Sequence, residues 1–237
     1  MALKVIVFDF DGTLADTYDT FVEIANGLSA EFGYKPVDRQ EQEKLKHLSM
    51  KDLIKQSEIS PLKIPFVLQR VKSELNHKIQ DLQPINDIPS CLQQLKVQGY
   101  LLGIITSNAE DNVSIFLKNH GLEQLFDFIY AGINLFGKHK ILNKLLKQHK
   151  LRSDEVMYIG DETRDINSAK KSNVQAVAVT WGFNSPEVLS KHQPDFLINH
   201  PQELITIIQE NKYSIDRQTA MIESLNMEGE NPKIIPC

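Results

Sequence analysis

Two aspartates, Asp9 and Asp11, directly follow the apolar run 5–8 and stand two positions apart. In an extended chain, residues at this spacing point to the same side, so both carboxylates would face one way. Carboxylates this close resist ionising together unless a cation lies nearby or one of them keeps its proton. A single Asp after a strand is ordinarily the N-cap of the next helix. The pair, followed by Gly12 and Thr13, instead favours a bound metal ion and a tight turn whose backbone amides approach a phosphoryl group.

Polar side chains also follow three later apolar runs. Taken singly, each has an ordinary explanation. Most could cap or stabilise a helix N-terminus. Lys138 could be an exposed surface lysine, and Lys140 competes with it as the lysine of a site. In an open parallel sheet, however, ligands bind outside the carboxyl ends of the strands. The shared position of these groups therefore predicts one site. The groups are Thr106, Ser107 and Asn108 after the run 101–105, Lys138 after 128–131, and Asp161 and Asp165 after 156–159.

The elements that must position these residues alternate between strand and helix patterns. Continuous Val- and Ile-rich runs suit strands that are buried on both faces, as in a parallel sheet. Gly99, Gly121 and Gly160 punctuate the pattern as turn or C-cap residues. The sequence therefore predicts an α/β fold with a doubly wound, Rossmann-like parallel sheet. The predicted strands are 5–8, 101–105, 128–131, 156–159 and 176–179, and the predicted core helices lie near 87–98, 110–119, 138–149 and 163–172.

One long segment departs from this alternation. Connections between a strand and the next helix are usually a few residues long, yet residues 16–84 contain only helical patterns, near 17–32, 38–46, 49–57 and 61–79. We interpret them as a helical cap domain inserted into a core formed by residues 1–15 and 85–211. Residues 212–237 are predicted to be a loosely packed C-terminal tail, with a helix near 214–225.

These residue types suit magnesium-dependent phosphoryl transfer. Mg²⁺ prefers oxygen ligands, often one or two carboxylates with water and substrate phosphate, and Asp9 and Asp161 would supply the carboxylates. A carboxylate can also act as the nucleophile. Asp11, held near other negative charge, should have a raised pKa and act as general acid and base. Ser107 and Lys138 would bind and neutralise the phosphoryl oxygens.

The motifs resemble those of the haloacid dehalogenase superfamily, in its phosphatase branch with a helical cap, which includes phosphoglycolate phosphatases. The resemblance covers roughly residues 1–210. Its four motifs are matched by Asp9-Phe10-Asp11-Gly12-Thr13, by Ser107 after a hydrophobic strand, by Lys138, and by Gly160-Asp161-Glu162-Thr163-Arg164-Asp165.

The resemblance implies a role for each matching residue. Asp9 would be the nucleophile and a metal ligand, and Asp11 the acid and base, with its backbone carbonyl on the metal. Asp161 would bind the metal directly, and Asp165 would assist through water or by orienting Lys138. Substrate contacts are predicted for Thr13, Ser107, Asn108 and Lys138, and the insert is expected to be a mobile cap that excludes water.

Composition limits the possible partners. The 237 residues include 26 basic and 31 acidic ones, for a net charge of −5, which argues against nucleic acid or an anionic membrane as the main partner. No apolar stretch is long enough for a membrane span or a secretory signal. The two cysteines, Cys91 and Cys237, suggest no disulfide framework, so we expect a cytoplasmic monomer or homodimer.

The leading interpretation is a Mg²⁺-dependent phosphatase acting on a small phosphorylated metabolite, phosphoglycolate-like or a sugar phosphate. A phosphomutase of the same superfamily stays open, because it shares all four motifs, and a non-catalytic phosphate-binding module is a further alternative. True dehalogenases generally lack the second Asp of the first motif and need no metal, so Asp11, Asp161 and Asp165 argue against that activity.

The turn at His47-Leu48-Ser49 is a candidate for substrate specificity or an ordinary interhelical turn. A phosphonate-hydrolysing relative would need a cap lysine such as Lys35, Lys46 or Lys51.

Overall fold

The computed structural model describes residues 3–57, 59–134 and 137–210. Its centre is a six-stranded parallel sheet with the strand order β3-β2-β1-β4-β5-β6. This order places the first strand in the middle and confirms the predicted doubly wound fold. The strands are β1 (Val5–Phe8), β2 (Leu101–Ile105), β3 (Phe128–Tyr130), β4 (Val156–Gly160), β5 (Gln175–Val179) and β6 (Phe196–Ile198).

Helices cover both faces of the sheet, which explains why the central strand β1 is apolar without interruption. In β1, Ile6 and Phe8 face one apolar cluster, whereas Val5 and Val7 face the other. The first cluster includes side chains of α5 (Ile88–Val97), α6 (Glu110–Asn119) and a helical segment at 201–210. The second includes side chains of α7 (Lys138–Gln148), α8 (Thr163–Lys171) and α9 (Pro186–Lys191). The molecule therefore has a three-layer core with a completely buried central strand.

In the described part of the connection from β1 to α5, which omits residue 58, there are four helices. They are α1 (Tyr18–Phe32), α2 (Arg39–Leu45), α3 (Met50–Gln56) and α4 (Ile64–Lys78), and we refer to residues 16–84 as the helical insert. Local sequence explains several of its helix ends. Asp38 accepts hydrogen bonds from the backbone at the start of α2 in a capping box, Ser49 caps α3, and Gly33 ends α1 in the left-handed conformation.

The chain leaves the core and returns to it at adjacent positions. The Asp16 amide donates to the Gln83 carbonyl at 2.9 Å, and the Ile85 amide donates to the Leu14 carbonyl at 2.9 Å. Ala15 and Pro84 lie opposite each other in this short pairing. The predicted boundaries fall here, and the division into a core and a cap stays a prediction.

The C-terminal part of the core contains elements that the sequence reading missed. Both α9 and β6 were absent from the predicted elements, as was the helical segment 201–210. Strand β6 is only three residues long, too short to give a recognisable period. The predicted tail 212–237 and its helix near 214–225 lie outside the described residues. Among the described residues, no helix combines the length and apolar character needed to cross a membrane.

Candidate active site

The ends of three strands and the start of one helix bring the predicted residues together. Lys138, the first residue of α7, is completely buried, and its Nζ lies 2.5 Å from Asp9 Oδ2 and 2.7 Å from Asp165 Oδ1. Lys140 is exposed on the same helix, so geometry selects Lys138 as the lysine of this site. The Tyr158 hydroxyl lies 3.3 Å from Asp165 Oδ1. Asp165 therefore orients the lysine ammonium toward Asp9, one of the two roles expected for it.

Asp11 is held from the neighbouring strand β2. Asn108, which follows β2, donates through Nδ2 to both carboxylate oxygens of Asp11, at 2.9 and 3.2 Å. The Asn108 amide is itself fixed, because its oxygen accepts from the Ala109 backbone and from Asn112 Nδ2, both at 2.8 Å. Asn108 was predicted to contact substrate, and in this structure its side-chain amide orients the carboxylate of Asp11.

Burial governs the ionisation of this aspartate pair. Loss of solvent raises the pKa of Asp11 to about 7, with a further increase from the charge of Asp9. Burial also raises the pKa of Asp9, but only to about 6, because the nearby Lys138 ammonium lowers it and partly offsets the effect of burial. Near neutral pH, Asp9 is therefore the more ionised of the two and Asp11 the better proton donor. This agrees with the raised pKa expected for Asp11.

Asp161 is fixed by contacts to both of its carboxylate oxygens. Thr13 Oγ1 donates to Oδ1 at 2.7 Å, and the Phe183 amide donates to Oδ2 at 2.7 Å. Gly12 and Gly182 pass so close that a Cβ on either would clash with this carboxylate, and Gly12 also has a positive φ of 71°. Asp161 is therefore held from two sides, by the turn after Asp11 and by the segment around Gly182 and Phe183.

The same turn differs from expectation at its amides. The Gly12 amide donates to the Ala15 carbonyl at 2.9 Å and the Thr13 amide to the Phe10 carbonyl at 3.3 Å, so both are used within the turn. The Thr13 hydroxyl, expected to contact substrate, is used by Asp161. By contrast, Ser107 is buried with 7% of its surface exposed, and its hydroxyl has no hydrogen-bond partner among the described residues. Ser107 is thus the predicted substrate-binding hydroxyl that is available to a ligand.

The site has an excess of negative charge that fits a divalent cation. Its two cations, Lys138 and Arg164, face more carboxylates than they can neutralise, and burial together with the charge of Glu162 raises the pKa of Asp161 well above its usual range. Oxygens of Asp9, Asp161 and Asp165 lie within 4.8 Å of one another. An all-oxygen, anionic donor set of this kind suits Mg²⁺. The buried carboxylates of the site are Asp9, Asp11, Asp161, Glu162 and Asp165.

Comparison with known proteins identifies the family. Residues 6–179 match the family described as haloacid dehalogenase-like hydrolase. The chain belongs to this family. A phosphoglycolate phosphatase of Synechococcus elongatus is 36% identical over 206 residues, covering 87% of this chain and 97% of that protein. Pyrophosphatase PpaX of Bacillus thuringiensis is 25% identical over 217 residues, covering 89% and 98%.

Solved structures agree with this assignment. A haloacid dehalogenase-like hydrolase of Streptococcus pneumoniae superimposes with a TM-score of 0.72 and 25% identity, over 86% of this chain and 98% of that one. A protein of Clostridium acetobutylicum that is described as a predicted phosphatase superimposes with a TM-score of 0.76 and 23% identity, over 89% of this chain and 100% of that one. The fold is thus that of a haloacid dehalogenase-like hydrolase.

Several residues of this hydrolase site were not assigned a role from the sequence. Arg164 forms an ion pair with Glu162 and lies close enough to lower the pKa of Asp9 and Asp11. Tyr158 is buried beneath the ammonium of Lys138, 5.8 Å from its ring centre. The Asp161-Glu162-Thr163-Arg164-Asp165 spacing could have suggested Arg164, since it lies between two acids of the site. Tyr158 resembles any other core residue of a strand and gives no such signal.

A cleft lies between the helical insert and the core of the hydrolase. Its volume is about 880 Å³, within the range of small-molecule sites. Lysines from α3, α8 and α9 line it, and Asp52 is the acidic residue among its lining side chains. His47 and Ser49, from the turn considered for specificity, lie on its wall, and the role of this turn stays a prediction. The lining lysines are Lys51, Lys55, Lys171 and Lys191.

Proposed function

We propose that this chain is a Mg²⁺-dependent phosphatase that hydrolyses a small phosphomonoester through an aspartyl-phosphate intermediate. One observation carries the proposal. Buried Asp9 is paired with the ammonium of Lys138 at 2.5 Å and lies beside Asp11, whose pKa of about 7 lets it give and take a proton near neutral pH. A nucleophile, a charge-neutralising cation and a proton shuttle thus occupy one buried position.

In the first half of the proposed reaction, an Asp9 carboxylate oxygen attacks the phosphorus of the substrate. The new Asp9 O–P bond forms as the ester P–O bond breaks, and protonated Asp11 gives its proton to the departing alkoxide. Lys138 neutralises charge on the transferring phosphoryl oxygens, and the Ser107 hydroxyl donates a hydrogen bond to them. Asp165 keeps the ammonium of Lys138 directed at Asp9.

In the second half, Asp11 acts as the base. It removes a proton from water as the water oxygen attacks phosphorus, and the Asp9 O–P bond breaks to release inorganic phosphate. Asp9 is then a carboxylate again and Asp11 is protonated, as both were at the start. Asn108 keeps the Asp11 carboxylate directed at the site through both steps.

The metal would be held by Asp9 and Asp161, with the backbone carbonyl of Asp11, while Asp165 acts mainly through Lys138. When bound, Mg²⁺ offsets the surplus negative charge and the charge of the phosphate. Thr13 and Phe183 hold Asp161 in place for this role through its two oxygens.

The cleft meets the site at Thr163 and Arg164, and Asp9, Asp11 and Ser107 do not line it. We propose that its charge attracts an anionic substrate toward the site. The four lysines of the cleft lie in a chain with a net charge of −5, so positive charge is concentrated where the insert meets the core. A substrate with a second anionic group, such as a phosphorylated carboxylic acid, would match that charge. The phosphoglycolate phosphatase relative is named for such a substrate.

The test is the release of inorganic phosphate by the purified chain from phosphoglycolate, a sugar phosphate, pyrophosphate and an aryl phosphate, with Mg²⁺ or with EDTA. We expect Mg²⁺-dependent release that Asp9→Asn abolishes. Asp16→Asn, which removes an exposed carboxylate nearby, serves as the control and should keep activity. A phosphomutase would isomerise the sugar phosphate with little release of phosphate. Absence of turnover on the whole panel by folded wild-type protein would refute the proposal.

A further inference from the structure

A three-residue segment of the core, Phe183 to Ser185, lies between the Asp161 carboxylate and the helical insert. On the core side, the Phe183 amide donates to Asp161 Oδ2 at 2.7 Å and the Asn184 amide to the Asp161 carbonyl at 3.3 Å. Asn184 Oδ1 also accepts from the Thr163 amide at 3.0 Å, at the start of α8. The segment therefore donates hydrogen bonds to both the side chain and the backbone carbonyl of Asp161.

On the other side, the same segment contacts the turn between α2 and α3 of the insert. Asn184 Nδ2 donates to the Leu48 carbonyl at 2.9 Å and lies 3.5 Å from the Lys46 carbonyl. The Ser185 amide donates to the same Lys46 carbonyl at 2.9 Å. The Ser185 hydroxyl lies 2.9 Å from His47 Nδ1. Two carbonyls of this turn, those of Lys46 and Leu48, thus receive donors from the core.

Aromatic packing adds an apolar contact between the same parts. The Phe183 ring lies 5.4 Å from the ring of Tyr18 and 5.3 Å from that of Phe21, both in α1 and both edge-to-face. Phe183 therefore holds Asp161 through its backbone amide and packs against the insert through its ring. Movement of α1 away from the core would remove the packing that fixes this amide.

Asn184 is the side chain that joins the two sides. It is 4% exposed, and its amide is divided between them, since the oxygen accepts from the core and the nitrogen donates to the insert. A buried amide with both ends bonded is well satisfied, whereas a carboxylate there would place negative charge against the two carbonyls. The geometry thus requires both the shape and the donor of an asparagine.

We propose that Asn184 is a positioning residue that holds the helical insert against the core and thereby keeps Asp161 in its metal-binding position. Docking of the 46–48 turn orders the segment 183–185, and this segment orders Asp161 through the Phe183 amide. Closure of the insert and readiness of the metal site are then one event. The consequence for turnover rests on the proposed function, whereas the consequences for insert docking and metal affinity do not.

Two variants separate this role from a general structural one. Asn184→Asp keeps an acceptor for the Thr163 amide and loses the donor to the insert, with almost no change in size. Asn184→Ala removes both bonds without burying a charge, and serves if Asn184→Asp does not fold. Asn119→Asp adds the same charge at an exposed position at the end of α6 and is the control.

Backbone hydrogen exchange in EDTA reports docking without any need for activity. In either Asn184 variant we expect the Ser185 and Phe183 amides to exchange at least about tenfold faster than in wild type, with protection of β1 and β4 unchanged. Calorimetric titration with Mg²⁺ should show affinity reduced about tenfold. Asn119→Asp should match wild type in both measurements.

Each outcome decides a part of the proposal. Wild-type exchange at Ser185 and Phe183 would refute the docking role, and faster exchange with unchanged Mg²⁺ affinity would refute the link to Asp161. If wild type is a phosphatase, kcat at saturating substrate should fall and be partly restored by high Mg²⁺. This assay is run at a temperature where the metal-free variant is fully folded, so stabilisation of the fold by Mg²⁺ cannot account for the recovery. If wild type releases no phosphate, the proposed function fails, while exchange and calorimetry still decide the role of Asn184.

Discussion

Asp11 should lower the stability of the metal-free protein near neutral pH, so Asp11→Asn should raise it. Burial lifts the pKa of Asp11 from 3.8 to about 7. Between these values the folded protein keeps a proton that the unfolded chain has lost, so stability falls as pH rises from about 4 to about 7. The substituted amide has nearly the same shape, can still accept from Asn108 Nδ2, and carries no charge at any pH.

The size of the effect follows from the shift. A shift of about 3 pKa units corresponds to about 4 kcal/mol once the pH exceeds both values, and to about 1.5 kcal/mol near pH 5. We therefore expect Asp11→Asn to gain about 2–3 kcal/mol more over wild type near pH 8 than near pH 5. For a chain of this length that difference corresponds to about 5–10 °C in Tm.

The assay is equilibrium urea unfolding in EDTA at about pH 5 and about pH 8, followed by circular dichroism, with Asp16→Asn as the exposed control. The same Asp11→Asn protein should have lost phosphatase turnover, since the proposed proton donor is gone. A gain in stability that is equal at the two pH values would refute the electrostatic reasoning. Equal stability of Asp11→Asn and wild type near pH 8 would refute it as well.

Three further predictions follow from the same site. Lys138→Met should destabilise the metal-free protein by about 3–5 kcal/mol at neutral pH, because two buried carboxylates lose their cation, whereas exposed Lys140→Met should change urea stability by less than about 0.5 kcal/mol. Gly12→Ala should cost about 1–3 kcal/mol and weaken Mg²⁺ binding, measured by unfolding and by calorimetry, because its positive φ and its contact with Asp161 both oppose a side chain. Mg²⁺ should raise the wild-type Tm more near pH 8 than near pH 5, since the metal must displace protons from raised-pKa carboxylates at the lower pH, and an equal rise in a thermal scan would contradict this.

The sequence predicted most of the sheet because buried parallel strands have a simple pattern. Strands β1 and β2 have the predicted bounds. Strand β1 is the clearest case, because it consists of four apolar residues that are all buried. Order along the chain then placed Asp9, Asp11 and Asp161 at one edge, since the topology of a doubly wound sheet brings its carboxyl ends together. Strand β6 was missed because three residues cannot display a period.

The contacts made by individual polar side chains were less predictable. Thr13 and Asn108 were expected to contact substrate, and in the structure they orient Asp161 and Asp11. Residue type alone cannot distinguish these roles, because a hydroxyl or an amide donates equally well to a carboxylate or to a phosphate. Asn184 gave no signal at all, since its side chain bonds to backbone groups that are distant in sequence, the Leu48 carbonyl and the Thr163 amide, and backbone groups are present at every residue.

The surplus of buried carboxylates explains why the site and the insert should act together. A cluster whose members resist joint ionisation is costly to keep in place without a metal, so the carboxylates need rigid support from elements around them. Asp161 receives that support from the Thr13 hydroxyl and from the Phe183 amide. The contact from Thr13 does not depend on the insert, because Thr13 lies in the turn after β1. In our proposal, the contact from the Phe183 amide depends on docking of the insert through Asn184. A phosphatase built in this way would bind its metal most tightly when the insert has closed over the site and water exclusion is complete.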